Sequence, residues 1–124
     1  MASTNQILVL LVDDEPHVRL LASDSLEEAG FEVIEAANAE EALSILAARS
    51  DVGVLFTDVS MPGSLDGLDL AELVHRRWPA IRLVVTSGRA PERTVPDDGR
   101  FISKPYSQRS MTELIGEISS QKAR

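Results

Sequence analysis

The sequence has no cysteine, few aromatic residues and no long hydrophobic stretch. Without cysteine the chain can form neither disulfides nor thiolate metal sites, which suits the reducing cytosol. Aromatic residues make up only 4% of the chain and there is no phosphate-binding loop, so a flavin site is not expected. The aliphatic run from Ile7 to Val12 is too short for a membrane span or a signal-peptide core. We therefore expect a cytoplasmic protein with no membrane segment.

Positive charge is also scarce relative to negative charge. The chain has 12 Lys and Arg against 20 Asp and Glu, which gives a net charge of −8. Phosphate backbones repel an acidic surface, so direct nucleic-acid binding is not expected. A length of 124 residues is typical of one domain, and 44% hydrophobic residues are enough for a folded core. Residues 1–124 are therefore expected to form a single domain without an output domain.

Short aliphatic runs alternate with segments of helical spacing along the chain. Consecutive apolar positions indicate strands that are buried on both faces, as in a parallel sheet. The predicted strands cover 7–12, 31–36, 52–57, 81–86 and 100–103.

The first helix is predicted between the first two strands. It begins with Pro16, is capped by Asp14 and stops at Gly30. Its apolar stripe includes Leu21 and Leu26, which helical spacing places on the buried face.

Three further helices complete the pattern. One opens at Asn38, which with Glu41 resembles a capping box, and runs to about residue 49. Another covers about 67–78, and a last amphipathic helix is marked by Met111, Leu114, Ile115 and Ile118. Strands that alternate with helices predict an α/β fold with right-handed crossovers and a doubly wound, five-stranded parallel sheet.

Polar side chains lie at the carboxyl ends of the predicted strands, where ligands bind in open parallel sheets. Asp13 and Asp14 follow strand one, Asp58 follows strand three, Thr86 ends strand four and Lys104 follows strand five. Two like charges about 4 Å apart repel by about 4 kcal/mol at an effective dielectric of about 20, so converging carboxylates need a cation. Oxygen ligands in this number suit Mg²⁺, with water completing its coordination.

These residues make the sequence resemble a known family, the response-regulator receiver domain with its flavodoxin-like (CheY-like) fold. The resemblance covers essentially the whole chain, and five elements in the right order at strand ends carry it. The matching elements are Val12-Asp13-Asp14-Glu15-Pro16, Asp58-Val59-Ser60-Met61-Pro62, Asp66-Gly67-Leu68-Asp69-Leu70, Thr86-Ser87-Gly88 and Lys104-Pro105-Tyr106.

The resemblance implies roles for the acidic residues. Asp58 corresponds to the nucleophile that forms an aspartyl phosphate. Asp13 and Asp14, together with Asp58 and the backbone carbonyl of Ser60, correspond to the groups that hold Mg²⁺, directly or through water. The ion would neutralise the carboxylates and the transferring phosphoryl group, whose transition state depends on positioning and charge.

The resemblance also implies roles on the last two strands. Lys104 corresponds to the ammonium that pairs with a phosphoryl oxygen, and Thr86 to the hydroxyl that turns toward the phosphoryl group. Phe101, three residues before Lys104, corresponds to a rotamer-switching aromatic, with core packing as the competing interpretation. The bond between Lys104 and Pro105 is expected to be cis.

The sequence departs from the family pattern in two loops. The stretch 61–67 is one residue longer than usual, so the backbone beside the metal is expected to differ locally. The stretch 88–99 contains Pro91 and Pro96 and no apolar stripe, where the family has a full fourth helix. We expect a shortened or irregular fourth helix, which bears on output through the family's usual face. We also expect this stretch to be mobile until Asp58 is phosphorylated.

The predicted function is two-component phosphorelay signalling. The chain would accept a phosphoryl group onto Asp58 from the phosphohistidine of a sensor histidine kinase or a histidine phosphotransferase. It would act as a single-domain switch or phosphate shuttle, not as a turnover enzyme. Two alternatives stay open: a receiver-like binding module that is not phosphorylated, and a Mg²⁺-dependent α/β hydrolase with Asp58 as nucleophile. The hydrolase needs a general acid–base beside Asp58, where only Val59 and Ser60 follow.

Overall fold

The computed structural model describes residues 6–120 and has five strands and four helices, which alternate except where the last two strands follow each other directly. The ends of the predicted domain, 1–5 and 121–124, lie outside the described residues. In chain order the elements are β1 (Leu8–Val12), α1 (Pro16–Glu28), β2 (Glu32–Ala36), α2 (Ala39–Ala48), β3 (Val52–Asp58), α3 (Gly67–Arg77), β4 (Arg82–Ser87), β5 (Arg100–Ser103) and α4 (Gln108–Ser120). The strands form one parallel sheet in the order β2-β1-β3-β4-β5. The predicted doubly wound α/β fold is confirmed.

The sheet is buried because helices cover both of its faces. β1 and β3 lie at its centre, and every residue of both strands is buried. Successive side chains of a strand point to opposite faces, so Leu10 contributes to the core layer under α2 and α3, and Leu11 to the layer under α1 and α4. Within the described part of the chain, no helix is both long enough and apolar enough to cross a bilayer.

The start of α1 differs from the sequence prediction. The residue before the helix is Glu15, whose side chain makes no capping bond, and Asp14 does not cap. Pro16 at the first helical position has no N–H to satisfy, which reduces the need for a cap. The prediction that Leu21 lies on the buried face of α1 was also wrong, because this residue is 56% exposed. Its neighbour Leu20 is 53% exposed. Leu26 is buried as predicted.

The caps of α2 and α3 follow the expected chemistry with one change. The side chain of Asn38 accepts the N–H of Glu41 at 2.8 Å, as predicted. The carboxylate of Glu41 accepts the N–H of Ala37 at 2.8 Å instead of closing a box on Asn38. A reciprocal capping box is found at α3, where the side chains of Asp66 and Asp69 each accept the other residue's N–H.

No helix connects β4 to β5 among the described residues, which confirms the irregular fourth crossover. We call residues 88–99 the β4–β5 segment. Asp97 and Asp98 have φ angles of 61° and 53°, in the left-handed region where a helix cannot continue. Val95 packs against the core layer under α2 and α3 and is the segment's apolar anchor.

Candidate functional site

The turn between β1 and α1 carries two of the predicted carboxylates. Asp13 is only 2% exposed, whereas Asp14 is exposed to solvent. The backbone N–H of Asp13 donates to the carbonyl of Ala36, at the end of β2, at 3.1 Å. Oδ1 of Asp13 accepts the N–H of Glu15 at 2.9 Å. The turn is therefore tied to the sheet and to the start of α1.

Asp58 is the last residue of β3 and is 6% exposed. The register of the parallel strands places Thr86 of β4 directly beside it. The N–H of Val59 donates to the carbonyl of Thr86 at 2.9 Å, so the pairing of β3 with β4 extends past the carboxylate. The N–H of Ser60 lies 3.4 Å from Oδ1 of Asp58. Strand pairing thus sets the position of Asp58.

Gly67, the first residue of α3, lies against the backbone of Asp58. An added Cβ at this position would overlap the carbonyl oxygen of Asp58 and would lie 2.8 Å from Cα of Val59. The N–H of Gly67 donates to the carbonyl of Val59 at 2.9 Å. This close approach explains why glycine stands at position 67, where the loop returns to the site: only glycine lacks the side chain that would push α3 away.

The three predicted carboxylates and the predicted lysine converge. One carboxylate oxygen from each of Asp13, Asp14 and Asp58 lies within 4.8 Å of the others. Nζ of Lys104 lies 3.1 Å from Oδ2 of Asp58 and 3.4 Å from Oδ2 of Asp13. A single ammonium leaves this cluster negatively charged. Hard oxygen atoms grouped in this way are the ligands that Mg²⁺ takes in proteins, so the residues present fit this ion.

Burial and pairing have opposite effects on the charged groups of the site. Burial raises the pKa of Asp58, and the charge of Asp13 adds to the rise, while the hydrogen bond and charge of Lys104 oppose it. Burial alone would lower the pKa of Lys104, but its hydrogen bond to Asp58 and the nearby carboxylates outweigh burial and raise it. Lys104 is therefore held as a cation. Any further positive charge beside Asp58 would stabilise the ionised form of its carboxyl group.

Thr86 and Phe101, the two predicted switch residues, lie in different surroundings. The hydroxyl of Thr86 is buried and has no hydrogen-bond partner among residues 6–120, which is unusual for a buried polar atom. Phe101 lies on β5, is partly buried and packs against the core layer under α2 and α3. This packing agrees with the competing interpretation of Phe101, and its role as a switch stays a prediction.

The stretch after β5 completes the site. The Lys104–Pro105 peptide bond is cis, as the resemblance implied. The ring of Tyr106 packs against Phe56 of β3, with ring centroids 5.8 Å apart and planes tilted by 53°. Burial, with a smaller contribution from the charge of Asp13, raises the pKa of Tyr106 to about 12.

Sequence reasoning missed two arginines. Arg19 of α1 donates to the backbone carbonyl of Asp13 at 2.7 Å. Arg93 of the β4–β5 segment reaches three acidic side chains of α3 and its cap. Neither contact has a local sequence signal. The sequence shows how far Arg19 lies from Asp13 along the chain. It does not show the turn that brings the guanidinium back to the carbonyl of Asp13.

Comparison with known proteins agrees with this geometry. The family model of the response regulator receiver domain matches residues 9–116. The response regulator receiver protein CpdR of Brucella abortus is 30% identical over 115 residues, which cover 89% of this chain and 92% of CpdR. A putative NtrX-like response regulator of Rickettsia felis is 31% identical over 117 residues, covering 90% of this chain. The match spans only 24% of the NtrX-like protein's length.

A solved structure shows the same fold. The response regulator protein TrrA of Thermotoga maritima, crystallised in complex with Mg²⁺-BeF, superposes with a TM-score of 0.81 at 24% identity. The superposition covers 91% of this chain and 99% of TrrA.

The chain belongs to the response regulator receiver domain family. Receiver domains are signalling phosphoacceptors of two-component systems and not turnover enzymes, and they interact with histidine kinases and phosphotransfer proteins. Which residue of this chain would accept the phosphoryl group, and which would bind the metal, depends on its own site residues.

Proposed function

We propose that this chain accepts a phosphoryl group onto Asp58 from a protein phosphohistidine, with Mg²⁺ bound beside it. The observation that supports this most is the convergence at Asp58. The carboxylate ends a buried strand, Lys104 lies 3.1 Å from its Oδ2, and two further carboxylates lie within 4.8 Å. A nucleophile flanked by a fixed cation and an acidic cation site is suited to phosphoryl transfer, which depends on positioning and charge.

Asp13, Asp14, Asp58 and the backbone carbonyl of Ser60 are the groups we assign to the metal. When bound, Mg²⁺ supplies positive charge that offsets both the carboxylates and the phosphoryl oxygens. The Mg²⁺-BeF complex of TrrA supports the choice of ion, because that protein shares the fold. The raised pKa of Asp58 supports it as well, because burial leaves this carboxylate short of compensating positive charge.

The transfer step requires one bond to form and one to break. A carboxylate oxygen of Asp58 attacks phosphorus, and the bond between phosphorus and the donor's imidazole nitrogen breaks. The electron pair of that bond stays on the imidazole, and an aspartyl phosphate remains. Lys104 then pairs with a phosphoryl oxygen in place of part of its contact with the carboxylates.

Thr86 is assigned the second contact with the phosphoryl group. Its buried hydroxyl has no partner among residues 6–120, and strand register places Thr86 beside Asp58. A phosphoryl oxygen at Asp58 offers the acceptor that this hydroxyl needs. We propose that Thr86 turns toward the phosphoryl group and that Phe101 changes rotamer in response.

The phosphodonor has to approach along a surface that borders the site. A cleft of about 370 Å³ beside Lys104 is lined mainly by Val18, Leu21, Pro105 and Tyr106. Leu21 in this lining is largely exposed, and exposed apolar side chains beside a reactive group favour a protein partner. We assign this surface to a sensor histidine kinase or a histidine phosphotransferase.

Residues 1–124 are proposed to work as one receiver domain, a switch or phosphate shuttle in the cytoplasm. The match that covers 92% of CpdR supports a receiver of this length. The net charge of −8 opposes direct contact with nucleic acid.

Intact-mass measurement with a small-molecule phosphodonor tests this proposal. With Mg²⁺ the chain should gain one phosphoryl group, which alkali or hydroxylamine removes, and chelation of Mg²⁺ should prevent the gain. Asp58→Asn should abolish labelling, because an amide is not a nucleophile at this site. Asp24→Asn, the same exchange at an exposed position of α1, should label like the wild type. Full labelling of Asp58→Asn would refute the assignment.

A further inference from the structure

Arg19 joins the turn that carries Asp13 and Asp14 to a neighbouring strand. It lies in the first turns of α1, and its side chain is only 20% exposed. One terminal nitrogen donates to the backbone carbonyl of Asp13 at 2.7 Å, while Nε donates to a carboxylate oxygen of Glu35, on β2, at 2.9 Å. The planar guanidinium makes both bonds at once because its donors form a rigid fork.

These bonds add to the other contacts that hold the turn. The helix that follows it starts without a side-chain cap. The turn is held by the N–H of Asp13, which donates to Ala36, and by Oδ1 of Asp13, which accepts the N–H of Glu15. Arg19 supplies the partner for the remaining backbone group of Asp13, its carbonyl. This carbonyl belongs to the peptide bond between Asp13 and Asp14, so the guanidinium holds a part of the turn that those two bonds do not reach.

We propose that Arg19 is a positioning residue that orients the two acidic residues of the turn toward Asp58 for Mg²⁺ binding. The inference rests on the proposed function, because it assigns Arg19 a role at the Mg²⁺ site. Groups that orient metal ligands without touching the metal commonly change metal affinity about 10- to 100-fold when they are replaced. Glu35 supports the same arrangement by holding the guanidinium from the side of β2.

The charge of Arg19 and its hydrogen bonds affect Mg²⁺ in opposite directions. A cation near the site repels Mg²⁺, so loss of the charge alone would strengthen binding. Loss of the two fixed bonds would loosen the turn and weaken binding. The direction of the change in Mg²⁺ affinity therefore separates the two effects. If Arg19 only stabilised the fold, its replacement would leave the Mg²⁺ affinity unchanged.

Calorimetric titration of the folded chain with Mg²⁺ tests the proposal, at a temperature below the melting point of each variant in chelator. Arg19→Gln should weaken Mg²⁺ binding about tenfold. Arg19→Lys keeps the charge but lacks the fork, and it should weaken binding to a similar degree. Glu35→Gln should have a smaller effect in the same direction. Arg49→Gln, which breaks the exposed ion pair with Asp51, is the matched control and should bind like the wild type.

Three outcomes would overturn the proposal: unchanged Mg²⁺ affinity in Arg19→Gln, tighter binding in that variant, or wild-type binding in Arg19→Lys. A lower melting temperature with unchanged affinity would show that Arg19 only stabilises the fold. If the wild type itself bound no Mg²⁺, the proposed function would fail instead. The wild-type titration and the variant titrations therefore separate the two failures.

Discussion

The stretches that follow β3 and β4 differ in how they are held. The β3–α3 loop, residues 59–66, is fixed by backbone hydrogen bonds: Val59 bonds to Thr86, and Gly67 bonds back to Val59. The β4–β5 segment is held mainly by side chains on the surface. There Arg93 lies 3.0 Å from Asp69, and each partner is more than a third exposed.

Because of this difference, the position of Asp58 does not depend on the contacts that hold the β4–β5 segment. Backbone bonds beside Asp58 use no side-chain donor or acceptor, so they hold this carboxylate in place as long as Gly67 lets α3 lie close. Exposed ion pairs are worth little individually, about 0.2–1 kcal/mol, and salt weakens them further. We therefore expect the β4–β5 segment to open or shift at low cost while the site keeps its geometry.

Gly67→Ala should cause the largest change. The added Cβ would overlap the carbonyl of Asp58, and because the contact is with backbone, α3 or β3 has to move. We expect a loss of about 3 kcal/mol in the free energy of unfolding, measured by urea denaturation.

Gly116→Ala is the matched control for this change. Gly116 also lies inside a helix, α4, but an added Cβ there meets nothing within 4 Å. This exchange should stabilise the protein by about 0.5–1 kcal/mol. Equal effects at the two glycines would mean that α3 does not pack tightly on Asp58.

Mg²⁺ should stabilise the folded chain, because only the folded state brings the three carboxylates together. At a free Mg²⁺ concentration of about 100 times the dissociation constant, the gain is about 2.7 kcal/mol. Asp14→Ala should lose most of this gain in thermal melts and should be more stable than the wild type in chelator, since one repelling charge is gone. Asp24→Ala removes an exposed charge elsewhere on α1 and should keep the full gain. An undiminished response in Asp14→Ala would count against this metal site.

Tyr106 gives a spectroscopic test of burial beside the site, because it is the only tyrosine in the chain. Its pKa is raised to about 12 by burial, so the phenolate absorbance of the folded protein should appear near that pH. The folded state holds the phenolic proton more tightly than the unfolded state does. The resulting stability is complete below pH of about 10, the unfolded pKa, and is lost as the pH rises through the folded pKa. A titration midpoint near 10 in the folded protein would show that Tyr106 is solvated.

Arg93→Gln should have the smallest effect on global stability, less than about 1 kcal/mol, because its ion pairs are exposed. Hydrogen exchange should show a local effect. Amides of residues 89–98 should exchange faster than those of the β3–α3 loop in the wild type, and faster still in Arg93→Gln. Phosphorylation of Asp58 should slow them.

Arg109→Gln is the control for this exchange experiment, since it breaks an exposed pair with Glu113 on α4. It should leave exchange in the β4–β5 segment unchanged. If the amides of residues 89–98 in the wild type exchanged as slowly as those of the β3–α3 loop, the two stretches would not differ in local stability.

Features that depend on local pattern and strand order were predictable from the sequence. The fifth strand was predicted at 100–103 and lies there. The meeting of Asp58 with Lys104 follows from parallel topology, because the carboxyl ends of all strands in a parallel sheet lie along one edge, and only β4 separates β3 from β5. For β1 and β3 the apolar runs were sufficient, since strands buried on both faces have no alternation to misread.

Features that depend on how distant segments approach each other were not predictable. Arg19 reaches Glu35, sixteen residues away, and Arg93 reaches Asp69, twenty-four residues away. Asp14 has the chemistry of a helix cap, but the turn directs Asp13 to the N–H of Glu15 instead. Helical spacing placed Leu21 on the buried face of α1, but it could not show that no other element among residues 6–120 covers this side chain.

The most direct test of the central claim is to locate the phosphoryl group on the chain. After reaction with a small-molecule phosphodonor and Mg²⁺, borohydride reduces an aspartyl phosphate to homoserine, and peptide mass spectrometry identifies the converted residue. We predict conversion at Asp58 alone, because it is the carboxylate that strand pairing and Lys104 hold in place. Conversion at Asp13 or Asp14, or a phosphoryl group on Ser60 that resists borohydride, would contradict the account.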